Sequence, residues 1–492
     1  MSGFAVLLLG LVTHPVGAGV HEPVYGTPDY REEPTSVAVL PDGGLLVAGR
    51  RGKVPSDMRL YILRLTPSGD TLWTKVYNEH AGMPSVAGLE DGGFVLIGHY
   101  EDDLSSVRVW RFDSEGDTLW TRTYSGDYGA SPGLWGSSIA VLPDGGLLLT
   151  GIVYSSEDLL KGARAFLMGM GPEGEFRWAS SYPTKEVADS TGYAYHGEHL
   201  ALLSDGGVAL AVMVLCPHWN PLLGTEEFIS EKVYLLRLDS EGNPLWDKMY
   251  GRERTMTLVS DLSPAPDGGV YILINEYHEG NTSGHVVRLT SSGEVLWERS
   301  YDGLSTSFVS VLPEGGCFVV GEEREDRDIV LMRLDSSGNN LWSRRYDAEE
   351  VYIRSGVSLP DGGIALVGTK GIEDLDIYLM LLDPEELSSP PTVEEGLEPL
   401  PEGYSLGPCR PNPFNTRLFV PFSLGRDGEV RIKVFSSDGR LVRSFSGRFR
   451  AGRHGWVWDG RDEEGRLVAS GVYTVRMEAG RFRASEKVVL VK

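Results

Sequence analysis

The chain has 492 residues, 62 of them glycine, a formal net charge of −25 and three cysteines. An acidic body repels phosphate, which argues against nucleic acid as a partner. Cys216, Cys317 and Cys409 are far apart and odd in number. That excludes a CxxC metal site and a disulfide framework, though one bridge of unassigned pairing stays open. The charge is uneven: residues 408–492 hold 17 Lys+Arg against 9 Asp+Glu, a tail of +8 on a body of −33.

The chain begins with an apolar run, Phe4 to Val12, too short to cross a membrane. Val16 and Ala18 suit the −3 and −1 positions of a signal-peptidase site. Residues 1–18 are therefore expected to be an export signal, although no Lys or Arg precedes the run. The alternative is a buried first strand.

Two motifs then alternate. "LPDGGLLVAG" begins at Leu40, and its relatives place Asp42, Asp91, Asp144, Asp205, Asp267, Glu314 and Asp361 before paired glycines, 47 to 62 residues apart. Between them stand Trp73, Trp120, Trp178, Trp246, Trp297 and Trp342, each with a Gly four residues before and a Tyr four after. A fixed period of this length marks a solenoid, propeller or array. Each unit parses into four strands joined by Asp-Gly and Ser-Gly turns, whose glycines supply positive φ. Trp and Tyr four apart in a strand share one face, which a neighbouring unit must cover. Lys75, Arg122, Lys248, Arg299 and Arg344, two after Trp, are expected to protect an exposed edge strand.

Four-stranded units of this length are expected to be propeller blades. The seventh unit lacks a Trp strand. "HEPVYG", residues 21 to 26, ends in the same Tyr-Gly, with His21 where Trp would stand. The expectation is a seven-bladed β-propeller over residues 19–383, closed by the N-terminal strand. The full pattern, "LDSxGxxLWxxxYG" followed by "DGGxxxxG", resembles the repeat propellers of secreted proteins from Bacteroidetes-like bacteria. The resemblance implies the fold and no single activity.

Residues 384–407, rich in Pro, Glu and Ser, read as a solvated acidic linker. Residues 408–492 alternate as strands with a strong hairpin turn at Asp438-Gly439. They are expected to form a small Ig-like β-sandwich. With Pro411-Asn412-Pro413-Phe414-Asn415, Trp458-Asp459-Gly460, Gly465, Ser470-Gly471-Val472-Tyr473 and the closing "KVVLVK", the tail resembles the C-terminal sorting domain of type IX secretion cargo. Such domains share their form with a flagellar-hook-cap-type Ig-like module. The resemblance implies a Gram-negative host, the secretion machinery as partner, and an extracellular or outer-surface location. Cys409 and Arg410 depart from it where a Tyr commonly precedes the Pro.

No GxSxG, HExxH or P-loop is present. The Asp of "DSSGNNLW" precedes Trp by seven residues, against five in a sialidase Asp-box, and no cysteine pair accompanies it as in many quinoprotein dehydrogenases. The Asp of each "DGG" reads as a turn residue. No catalytic residue, cofactor or metal site is assigned.

One face of the ring should carry the short, uniform turns and the other the long connections, which concentrate in units three to five. Those connections hold Tyr128, Trp135, Tyr154, Tyr193, Tyr195, His196, His199, His218, Trp219, Tyr277 and His278. Aromatics on loops of a rigid scaffold suit a glycan or protein ligand. The same residues could instead pack the loops together, and His196, His199 and His218 would form a metal site only if their loops converge. The expectation is a monomeric, exported binding protein with no transmembrane segment. Its rivals are a secreted enzyme acting on polysaccharide and a structural component of the cell envelope.

Overall fold

In this computed structural model the described residues are 20–388 and 404–491. Excepted are 28, 55–56, 80–81, 101–102, 126–132, 155–162, 184–192, 221–224, 252–254, 279, 325–326, 349, 372–374, 408, 410–411, 415–417, 425–427, 450–451, 459, 464–465 and 481. The signal segment 1–18 and Tyr128 lie outside them. The chain divides into two compact units, residues 1–396 and 397–492.

The repeats dictate the first unit. The turn Leu40-Pro41-Asp42-Gly43-Gly44 illustrates one of its devices: Gly43 adopts φ +80° and the Gly44 N–H donates to Asp42 at 3.0 Å. On either side, "REEPTSVAV" and "LLVAGRRG" form Arg31–Val39 and Leu45–Gly52, followed by Arg59–Leu65 and Thr71–Val76. These four make one antiparallel sheet in simple up-and-down order, and among the described residues of the unit the pattern recurs in five further four-stranded sheets and in one whose outer place is taken by two short strands. This all-β arrangement of successive meanders is a β-propeller fold. Middle strands such as Leu147–Tyr154 are buried along their whole length, because neighbouring sheets cover both faces.

First strands of successive sheets lie beside one another, and that of the seventh, Val351–Ser358, lies beside Arg31–Val39 of the first. Every one of them is irregular where it pairs with its second strand. In six sheets a single residue is left over: Thr35, Ser137, Glu198, Ser260, Ser307 and Arg354. Bulges bend a strand and re-aim its side chains.

The seventh sheet takes its fourth strand from the other end of the chain. Val20–His21 and Val24–Tyr25 pair with Asp376–Leu382, setting His21 opposite Leu381 and Tyr25 opposite Ile377. In the sixth sheet Trp342 stands opposite Arg333 and Tyr346 opposite Ile329, which is the same register. Tyr378 donates to Glu22 at 2.7 Å and fastens the segment further.

The first residues of the expected linker are structured. Pro384–Ser388 is a short helix whose third residue, Glu386, donates its N–H to Asp383 at 2.8 Å. Leu387 is buried against the sixth and seventh sheets. Glu386 pairs with Arg344 and accepts from Tyr346 at 3.0 Å. The helix thus stands where the other sheets have their third turn.

The second unit has two sheets. One holds Ser405–Leu406, Leu418–Leu424 and Gly452–Trp458; the other holds Leu441–Phe449, Gly428–Ser436, Gly471–Ala479 and Phe482–Leu490. Their inward residues share one core around Trp458, whose ring meets Phe414 at a tilt and Tyr473 edge-on, at 5.5 and 5.2 Å. Asn412 bonds Val489 N–H at 2.9 Å and Lys487 carbonyl at 3.0 Å, so the Asn-Pro-Phe stretch ties down the closing strand. All three cysteines are free and buried. Burial pushes the Cys216 thiol up to about 11 and those of Cys317 and Cys409 up to about 12.

Candidate functional site

The seams between sheets explain most of the repeat. The Trp of one sheet lies over the third-turn glycine of the next: a Cβ at Gly116 would fall 2.7 Å from Trp73, and one at Gly174 2.8 Å from Trp120. Only glycine fits under the ring, and φ near +78° suits it as well. The Tyr hydroxyl donates to that same glycine's carbonyl, as Tyr77 does to Gly116 at 2.7 Å; Tyr124–Gly174 and Tyr182–Gly242 repeat the bond. The basic residue between Trp and Tyr reaches the same turn rather than only guarding an edge. Lys75 meets Asp117 at 2.6 Å and Arg299 meets the Gly338 carbonyl at 2.7 Å.

The "DGG" carboxylates do more than close turns. Arg64, Arg237, Arg288 and Arg333 bind Asp42, Asp205, Asp267 and Glu314 at 2.5 to 2.6 Å, and Arg111 binds Asp91. The Gly207 N–H and Arg237 hold the Asp205 carboxyl below its usual range. In the third sheet Gly169 stands at the arginine's position, and Arg177 reaches Asp144 from the next strand at 2.7 Å. The signal was in the sequence: an Arg two residues before the third turn's Thr or Asp, in five repeats. In the seventh sheet Leu381 replaces it and His21 replaces Trp. The smaller side chains leave an open depression lined by Val20, His21, Pro67, Asp70, Asp361 and Leu381.

The structure distributes the candidate binding residues along three seams. Between sheets three and four, Trp135 is half-buried with its ring 6.1 Å from the His196 imidazole. Tyr154 and Tyr195 lie in the core, at 5% and 4% exposure. Tyr195 meets Tyr234 edge-on at 6.4 Å, and Tyr154 packs on Ile152, Ala163 and Ala194. Tyr193 is half-buried with the Lys232 ammonium 5.7 Å from its ring. Between sheets four and five, the half-buried His199 faces Asp261. The Asp261 carboxylate accepts two backbone N–H bonds at 2.8 Å, yet burial raises its pKa against the pull of His199. Between sheets five and six, Tyr277 bonds Ser305 at 3.0 Å, and His278 is exposed at its strand end.

His218 and Trp219 belong to a hairpin far longer than the others, Val208–Asn220 with Thr225–Leu238. Their backbones pair with Glu227 and Glu226, and their side chains lie outside the described residues. Among the described residues no three His, Cys, Asp or Glu side chains gather as a metal site. Sequence reasoning did not single out Ser137 and Glu198, which flank His196: Ser137 Oγ lies 2.7 Å from Nε2 and Glu198 Oε1 lies 3.0 Å from Nδ1.

The protein is thus of the propeller class, with an appended immunoglobulin-like domain. The FlgD Ig-like domain family matches residues 425–481. No curated protein is matched. Among solved structures, the chain is similar to a protein of unknown function from Dyadobacter fermentans, with 14% identity, 74% of this chain and 99% of that one covered, and a TM-score of 0.41. It is similar to an α-L-arabinofuranosidase of Fusarium graminearum solved with arabinobiose, with 11% identity, coverage of 75% and 98%, and a TM-score of 0.42. A third is PorZ, a surface component of the type-IX secretion system of Porphyromonas gingivalis, with 10% identity, coverage of 94% and 82%, and a TM-score of 0.19. The fold assignment rests on the strand topology above. No helix among the described residues is long and apolar enough to cross a membrane.

Proposed function

We propose that the first unit is a closed seven-bladed propeller, exported and acting as a binding or interaction protein at the cell surface or in the medium. We also propose that the second unit is a sorting domain read by a type IX-like secretion machinery. Closure is supported by the N-terminal strand's register and by the meeting of the seventh sheet with the first. The sorting reading is supported by the FlgD Ig-like match and by the Asn412 and Phe414 contacts that give the tail motif its structural sense.

The observation that carries the binding reading is the one-sided length of the connections. The third turns of six sheets keep one length, whereas among the described residues the fourth sheet builds a hairpin of 13- and 14-residue strands on the opposite face. Loops on a rigid scaffold are where recognition concentrates. Cutting an aromatic anchor to Ala typically costs about 2 kcal/mol of binding, roughly thirtyfold in affinity. Trp135→Ala and Trp219→Ala should therefore weaken capture in a glycan and cell-surface binding screen, with a smaller fall in melting temperature than Trp73→Ala gives. Variants of Trp135 and Trp219 that unfold as Trp73→Ala does would reduce the face to packing. Separately, removal of residues 408–492 should leave a folded propeller in the periplasm; normal arrival outside the cell would overturn the sorting role.

A further inference from the structure

We infer that Ser137, His196 and Glu198 form an acyl-transfer triad at the seam of the third and fourth sheets, with a small carboxylic ester as the class of substrate. This goes beyond the binding reading and does not depend on it.

The geometry comes from the bulges. Ser137 and Glu198 are the leftover residues at equivalent places in adjacent first strands, Gly133–Val141 and Ala194–Leu202. His196 lies two residues before Glu198, so the imidazole and the carboxylate leave the strand near one another. Gly197 lets the two sheets close up: a Cβ there would fall 2.1 Å from Thr150 Oγ1 and 3.1 Å from the Gly151 carbonyl. That approach brings Ser137 within 2.7 Å of His196.

One hydrogen bond, Ser137 to His196, and one close contact, His196 to Glu198, set the order of the groups. With the His196 hydrogen on Nδ1, toward the Glu198 oxygens, Nε2 presents its lone pair to the Ser137 hydroxyl. Nucleophile, base and carboxyl group then follow one another at 2.7 and 3.0 Å, the sequence of groups by which such a triad is recognised on any fold. The His196 and Glu198 side chains keep 17% and 23% of their surface, so solvent reaches them. The Trp135 ring beside the imidazole offers an apolar wall for an alkyl or aryl group.

Two other seams join through hydroxyls without an imidazole: Ser310 bonds Ser358 at 2.7 Å, and Ser260 lies 3.3 Å from Thr306. In the reaction, Ser137 Oγ attacks the ester carbon while its proton passes to Nε2. The carbon–oxygen bond to the leaving alcohol breaks, and that proton goes to the departing oxygen. Water, deprotonated in turn by His196, releases the acid and restores the hydroxyl. Ser137 and His196 are the reacting groups, and Glu198 is a positioning residue.

The test uses the full chain. A fluorophosphonate probe should add one mass increment, located to the Ser137 peptide, and p-nitrophenyl butyrate should be hydrolysed. Ser137→Ala should abolish both, and His196→Gln should slow both by about a hundredfold or more, the range of a lost general base. Glu198→Gln should lower kcat roughly tenfold or more with KM little changed, whereas loss of a merely structural contact would show in the melting curve. Absence of labelling in the intact wild-type chain would overturn the triad and leave an inter-sheet clamp. So would labelling at Ser137 that His196→Gln does not slow.

Discussion

The Tyr25 hydroxyl donates to the carbonyl of Gly69, 44 residues on and in the adjoining sheet. It does there what Tyr77 does to Gly116 and Tyr124 to Gly174, although Tyr25 enters from the start of the chain. The bond is buried, and burial raises the Tyr25 pKa. Tyr25→Phe keeps the ring and strands the carbonyl, a loss of about 1–2 kcal/mol. Deleting residues 21–25 removes the strand itself and bares the Asp376–Leu382 edge, so the loss should be larger and accompanied by aggregation. Urea denaturation and light scattering measure both. Equal stability in all three chains would mean that the N-terminal strand does not hold the ring.

That relationship shows why so much of the fold was legible. Trp, Gly and Tyr repeat at fixed spacing because one seam repeats, and a period of two in a strand puts Trp and Tyr on the same face. His21 and Tyr25 keep the spacing when the Trp itself is gone. The bulges left a weaker mark: Thr35, Ser137, Ser260 and Ser307 carry hydroxyls, but Glu198 and Arg354 stand at the same place. Their common cause is the crowding of first strands, which only three dimensions reveal. Loop length marked Tyr154 and Tyr195, but neighbours such as Ala163 and Ala194 decide their burial. The composition of "PEELSS" likewise hid Leu387, a single apolar residue that reaches the core.

Arg237 binds both oxygens of Asp205, at 2.7 and 2.5 Å, and also donates to the Leu238 carbonyl. Its side chain is almost wholly buried, while Asp205 is mostly exposed. Arg237→Met keeps most of the packing and loses the bonds; the expected loss is about 1–3 kcal/mol. The Asp205 carboxyl is held low, so its share of stability is present above the ordinary carboxylate range and fades as pH falls through the lowered value. Urea titrations at pH 7 and pH 3 should therefore show a smaller wild-type advantage in acid. An advantage that grows in acid would contradict the pairing.

Two turn glycines with nearly the same backbone should respond differently to alanine. Gly116 and Gly206 have φ of +78° and +84°. A Cβ at Gly206 meets nothing within 4 Å, whereas one at Gly116 strikes the Trp73 ring. Gly206→Ala should cost only the left-handed conformation, about 1 kcal/mol. Gly116→Ala must also displace a packed indole and should cost roughly 1–3 kcal/mol more. Thermal melts of the two variants decide the matter, and equal losses would show that Trp73 does not rest on that turn.

His285 sits between two carboxylates, Glu276 at 3.6 Å and Glu298 at 3.4 Å, with Ser300 Oγ 3.0 Å from Nδ1. Burial disfavours its charge, yet Glu276 and Glu298 outweigh that and raise its pKa to about 9. Unfolded, a histidine titrates near 6.5. The stabilisation is therefore complete below about pH 6.5, declines between 6.5 and 9, and is gone above the folded value. The window corresponds to roughly 3–4 kcal/mol for a shift of this size. His285→Gln should be clearly less stable than wild type at pH 6, with the difference shrinking by pH 10. Chemical denaturation at both pH values measures it, and a difference that holds constant or widens with pH would mean the imidazole is neutral between its two glutamates.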